Sequence, residues 1–120
     1  MKAPRISEKQ EQRAIVDLLR LIGAKVYVIG RTPPRDGRTH FGTGQTPGIP
    51  DLYAFLPDRM HQTVGICDLP IWIEVKAKDG VASEAQKAFA SLAFRSNHFY
   101  FRGTADGFTA YLRSLGFRIG

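Results

Sequence analysis

The stretch GIPDLYAFLPDRMHQTVGICDLPIWIEVKAKDG (residues 48–80) holds two apolar runs, each with charge set against it. Asp51 opens the first run, and Glu74 and Lys76 lie inside the second. Charge beside a strand core is costly unless it has a task. Residues 51–56 and 71–77 read as strands, because both are rich in β-branched and aromatic side chains. Residues 57–70 between them read as a turn region, possible as a wide hairpin tip, so the two strands should pair antiparallel. Side chains alternate faces along a strand. Ile71, Ile73, Val75 and Ala77 therefore point one way, and Trp72, Glu74 and Lys76 the other. If the strands pair, Asp51 comes close to Glu74. The plain alternative is an ion pair on an exposed strand face. Helices predicted around this strand favour a face that is covered.

Residues 7–22 read as a helix. Ser7 caps it with Gln10 as capping-box partner, and Gly23 ends it. Ile15, Leu18, Leu19 and Ile22 make an apolar stripe, and Glu11 and Glu8 extend that stripe upstream. Residues 26–29 form a short strand. Residues 83–94 form a second helix with Ser83 as cap, residues 97–101 a fourth strand, and residues 104–115 a third helix ended by Gly116. Phe99, Tyr100 and Phe101 are expected in the core, and Trp72 is expected to pack on a helix. The order is α-β-β-β-α-β-α, an α/β fold. The third and fourth strands, joined across a helix, should be parallel. Residues 31–48, RTPPRDGRTHFGTGQTPG, must be a loop. Its Arg31, Arg35, Arg38 and His40 are candidate phosphate contacts.

The chain has 120 residues, enough for one domain over residues 1–120. A hydrophobic fraction of 43% fits a globular protein. A net charge of +6 and a pI of about 9.8 favour a polyanionic partner, nucleic acid foremost. A single cysteine, Cys67, forms no internal disulfide and fits a reducing compartment. No apolar run spans a bilayer, and the opening MKAPRISEKQEQR lacks the apolar centre of a signal peptide. A cytoplasmic protein is expected, with no membrane partner.

Two adjacent carboxylates repel unless a cation sits between them. Lys76 supplies one positive charge, and a divalent metal would supply the rest. Oxygen ligands suit Mg²⁺ or Mn²⁺. Zinc is disfavoured, since His40, His61 and His98 have no ligand spacing and there is no cysteine cluster. A metal, a lysine and a basic surface are the parts of a phosphodiester hydrolase.

PGIPD, IEVK and SEAQKAF, after a helix that opens SEKQEQ and runs on to LIGAKVYVI, resemble the VRR-NUC domain. That is a branch of the PD-(D/E)xK, restriction-endonuclease-like nucleases. The motifs stand in the family's order over about residues 7–101, and the short length resembles the minimal phage and prophage versions. The resemblance implies a central mixed β-sheet of about four strands flanked by helices. It also implies a metal-dependent DNA endonuclease, structure-selective on branched DNA such as Holliday junctions, a homodimer, and a bacterial or phage-infected host cell. By the same likeness Asp51 and Glu74 are metal-binding carboxylates, the Val75 carbonyl is a backbone ligand, and Lys76 orients the attacking water. Gln86 resembles the glutamine that reaches the site from the next helix, and it can also close a capping box with Ser83, the two roles not being exclusive. Glu8 resembles the acid of the first helix. Glu11 shares its face and could serve instead, with spacing to the helix end favouring Glu8. Lys78 continues the Glu74 face toward a phosphate path. The rival readings are a nickase or exonuclease on simple DNA, a non-catalytic DNA-binding module, and a basic scaffold protein.

Overall fold

The computed structural model of the chain describes residues 5–29, 46–57 and 68–119. Three helices and four strands follow in the predicted order: α1 (Glu8–Leu21), β1 (Lys25–Val28), β2 (Leu52–Leu56), β3 (Leu69–Val75), α2 (Glu84–Arg95), β4 (Phe99–Gly103) and α3 (Ala105–Ser114). The strands form one mixed sheet in the order β1-β2-β3-β4. β2 is antiparallel to β1 and to β3, while β3 and β4 run parallel. The Arg31, Arg35, Arg38 and His40 of the predicted loop lie outside the described residues, as do His61, Cys67 and most of the turn region between β2 and β3.

The two faces of the sheet have different jobs. Leu52, Ala54 and Leu56 of β2 and Ile71, Ile73 and Val75 of β3 are fully buried on one face. They pack with Ile15, Leu19 and Ile22 of α1 and its C-cap, and with Phe108 and Leu112 of α3. Truncating one such Leu or Ile to Ala typically costs about 2–5 kcal/mol. The other face is aromatic. Tyr53 meets Phe55 and Trp72 at ring-centroid distances of 5.2 and 4.4 Å, and Trp72 meets Phe89 of α2 at 5.1 Å. Trp72 thus packs against a helix, as expected. The β4 aromatics divide between environments. Phe101 packs edge-on against Phe108 and tilted against Tyr111, Tyr100 lies on the Phe89 side, and Phe99 is exposed, against the expectation that all three are core.

The helix ends follow from local chemistry. Ser7 and Ser83 each accept from the backbone N–H of the third helical residue, Gln10 or Gln86, and each glutamine carboxamide accepts from the serine N–H. Thr104 caps α3 by accepting from the Gly107 N–H at 3.2 Å. Strand boundaries shift by one or two residues from the expected ones. β1 begins at Lys25, and β2 begins at Leu52, with Asp51 just outside the strand. β3 begins at Leu69 because Pro70 pairs with Phe55 where β4 has not yet joined, so its missing N–H faces no partner strand. β4 begins at Phe99 because Asn97 adopts φ 60° and closes α2, with the His98 N–H donating to the Ala93 carbonyl at 2.9 Å. Lys76 lies just past β3, yet its N–H still donates to the Gly103 carbonyl at 2.9 Å.

One glycine holds the approach to Asp51. Gly48 has φ +85°, and a Cβ there would lie 2.4 Å from the Ala85 carbonyl oxygen in the first turn of α2. The segment before β2 can press on α2 only without a side chain. Gly48→Ala should therefore lower stability by about 2 kcal/mol or more. In a thermal melt that is a fall of roughly 8 °C or more for a domain of this size; an unchanged melting temperature would show that the contact is dispensable.

Candidate metal centre

Asp51, Glu74 and Glu8 meet because three elements end at one place. The register pairs Leu52 with Ile73, so Asp51, one residue earlier, stands opposite Glu74. The Val75 N–H donates to Asp51 Oδ2 at 2.8 Å, which fixes that carboxylate at the end of β3. Glu8 is the first residue of α1, right after its Ser7 cap. One carboxylate oxygen from each of the three lies within 4.8 Å of the others. Among the described residues this is the one group of three or more acidic, His or Cys side chains so placed.

Burial sets the electrostatics. Glu74 is 2% exposed, and its Oε1 has no hydrogen-bond partner among the described residues. Its pKa is pushed up to about 8. Loss of hydration is the largest cause. A hydrogen bond with Asp51 and the charges of Asp51 and Glu8 add to it, while Lys76 opposes it. A buried carboxylate with an unpaired oxygen, facing two more carboxylates, is costly when ionised. A divalent cation would relieve all three repulsions and give the orphaned oxygen a partner. The donors are hard carboxylate oxygens from residues of graded burial, exposed Glu8, half-buried Asp51 and buried Glu74. Such a set fits Mg²⁺ or Mn²⁺, with open positions toward solvent for water.

The structure separates Glu8 from Glu11. Glu11 is buried, and its Oε1 accepts from the Ala105 N–H at 3.3 Å. Ala105 is the first residue of α3, so Glu11 satisfies a free donor and the positive end of that helix. It ties α1 to α3, and Glu8 alone of the two joins the cluster. Lys76 follows Val75 and is half-buried, its stem lying against Gly80, and its charge acts on Glu74. Gln86 is engaged in its capping box, with Oε1 accepting from the Ser83 N–H at 2.9 Å. Lys78 is exposed and lines a surface hollow with Arg5, Gln10 and Asp106. The Val75 peptide has a role that sequence reasoning missed: its N–H orients Asp51.

Two further residues escaped the sequence reading. Arg102 pairs in register with Glu74, and Tyr100 with Trp72, so both lie on the Glu74 side of the sheet. The Tyr100 hydroxyl is buried, and its pKa is raised first by burial and then by the Glu74 charge, with Arg102 opposing. The signal for both was the β3–β4 register, which a fourth strand starting at Asn97 obscures.

Two outcomes follow from these positions. Folding raises the Glu74 pKa from 4.5 to about 8, so without metal its contribution to stability is complete below pH 4.5 and is lost as the pH climbs toward 8. Glu74→Gln should flatten that loss, and at pH 8 the metal-free variant should melt about 4 °C or more above wild type. Parallel melting curves across pH would contradict the assignment. Glu11→Ala should cost about 1–2 kcal/mol and leave Mn²⁺ affinity near wild type, whereas Glu8→Gln should do the reverse in paired melts and calorimetric titrations.

The chain matches no protein-family model, no curated protein and no solved structure, so the reading of its function rests on the geometry of this site.

Proposed function

We propose that the protein is a divalent-metal-dependent DNA endonuclease with a restriction-endonuclease-like fold, similar to the VRR-NUC domain. The observation that carries this reading is the convergence of Glu8, Asp51 and Glu74 within 4.8 Å, with Glu74 buried and Lys76 two residues on. A mixed four-stranded sheet with helices on both faces is compatible with that fold. The net charge of +6 supports a phosphate-bearing substrate. No described helix is long and apolar enough to cross a membrane.

Each side chain then has a defined task. Asp51 is oriented by the Val75 N–H and offers a carboxylate oxygen to the cluster. Glu74 gives up its proton when the cation arrives, which couples binding to proton release. Glu8, at the mouth of the site, completes the set directly or through water. When bound, Mg²⁺ or Mn²⁺ would polarise a phosphoryl oxygen and lower the pKa of the attacking water. The Lys76 ammonium orients that water and stabilises the negative charge that develops on the phosphoryl oxygens. Attack breaks the P–O bond opposite the incoming oxygen. Branched DNA as substrate and a homodimer as the working form rest on the resemblance to the minimal VRR-NUC domains. The basic residues Arg31, Arg35, Arg38 and His40, in the segment leading to Asp51, add phosphate contacts.

Incubation with linear duplex, flap and four-way-junction DNA, with and without Mn²⁺, tests this reading. Wild type should cut the junction in a metal-dependent way. Asp51→Asn and Glu74→Gln should lose cleavage while keeping DNA affinity in the absence of metal. Lys76→Ala should slow cleavage by about a hundred- to a thousand-fold. Cleavage of linear duplex alone would favour a simple nickase or exonuclease. Metal-independent binding with no cleavage of any substrate would leave a DNA-binding module.

A further inference from the structure

A groove of about 390 Å³ runs beside the acidic cluster, lined by His98, Tyr100 and Arg102 and by Ala90 and Phe94 of α2. Its place follows from the register. Arg102 is the neighbour of Glu74 on β4, and Tyr100 lies two residues back on the same face. His98 immediately precedes β4.

The polar groups of this groove can all donate. The Trp72 Nε1–H donates to His98 Nδ1 at 3.3 Å, so the neutral imidazole carries its proton on Nε2. The Tyr100 hydroxyl is buried and makes no hydrogen bond of good geometry among the described residues. Arg102 is exposed and makes no ion pair with a described residue. The wall is apolar: Phe94 is 81% exposed, an unusual position for a large aromatic side chain. Two exposed donors, on His98 and Arg102, beside an exposed ring suit an anion attached to a flat, apolar group. A nucleotide has that form, with its phosphate on the donors and its base on the ring.

We propose that this groove is a phosphate and base subsite for one DNA strand: Arg102 and His98 hold the phosphodiester next to the one that is cut, and Phe94 stacks on the adjoining base. That the strand is a nuclease substrate rests on the proposed function; that the groove takes a phosphodiester does not. A groove of this volume fits a nucleotide better than a duplex. Stacking on Phe94 requires an unpaired base, which is available where the strands of a branched substrate diverge. The subsite therefore adds a structural reason for a preference for branched DNA.

Fluorescence anisotropy of a labelled twelve-residue oligothymidylate, titrated with the full chain in EDTA, tests the subsite without cleavage. Arg102→Gln should weaken binding about tenfold and reduce the slope of log affinity against log salt by about 0.7. His98→Ala should weaken it about threefold or more, and Phe94→Ala about fivefold or more. Sedimentation of each variant should match wild type. In cleavage assays with Mn²⁺, Arg102→Gln should raise KM more than it lowers kcat. An unchanged affinity and salt slope for Arg102→Gln would overturn the subsite, and so would a change in sedimenting mass, which would make the groove an interface between copies. If wild type cuts no DNA but the oligonucleotide is still lost in these variants, the nuclease reading fails and the subsite stands. If wild type cuts DNA and the variants bind normally, the subsite fails alone.

Discussion

A single hydrogen bond, from the Val75 N–H to Asp51 Oδ2, joins the start of β2 to the end of β3. Both strands bury their other faces in the same core, so neither end can move without disturbing Leu52, Ile73 and Val75. The Asp51 carboxylate is held there by the fold. Glu74 is brought to it by register, and α1 delivers Glu8 from its capped first turn. The outcome is a local concentration of carboxyl groups, one of them buried, inside an otherwise well-packed domain. Such an arrangement disfavours folding unless something binds it, which is why we read it as a site.

The division of labour between the sheet faces explains how a small domain tolerates this. The core face, packed by α1 and α3, is apolar without exception among the buried strand residues Leu52, Ala54, Leu56, Ile71, Ile73 and Val75. The opposite face carries aromatic rings along one part and Asp51, Glu74 and Arg102 along the next. Within the sheet, the site's charged side chains are confined to one face, so their cost is not spread through the core. Glu11 illustrates the same economy from the other direction. It lies on the stripe of α1, but its buried carboxylate is matched to the first N–H of α3.

Features that depend on neighbours in sequence were legible before the structure. The two Ser-x-x-Gln capping boxes, the order of elements and the antiparallel pairing of β2 with β3 all read directly, because the boxes are set by spacing within four residues and the two strands follow one another in the chain. So did the meeting of Asp51 and Glu74, which needs only face alternation and a register. Contacts between distant segments were not legible. The Glu11 carboxylate and the Ala105 N–H are 94 residues apart; spacing to the helix end favoured Glu8 for the cluster, but nothing local gave Glu11 its partner. The start of β4 was misplaced because Asn97 takes a left-handed turn conformation that its neighbours do not advertise. That shift hid the pairing of Arg102 with Glu74, and with it the groove beside the cluster.

Whether Glu8, Asp51 and Glu74 form a divalent-cation site is read most plainly by diffraction from crystals soaked in Mn²⁺ at a wavelength where manganese scatters anomalously. One strong anomalous peak is expected among the three carboxylates, in contact with Asp51 and with the Glu74 Oε1 that otherwise has no described partner. No peak there at saturating Mn²⁺, or a peak elsewhere on the protein with Glu74 still unpartnered, would contradict it.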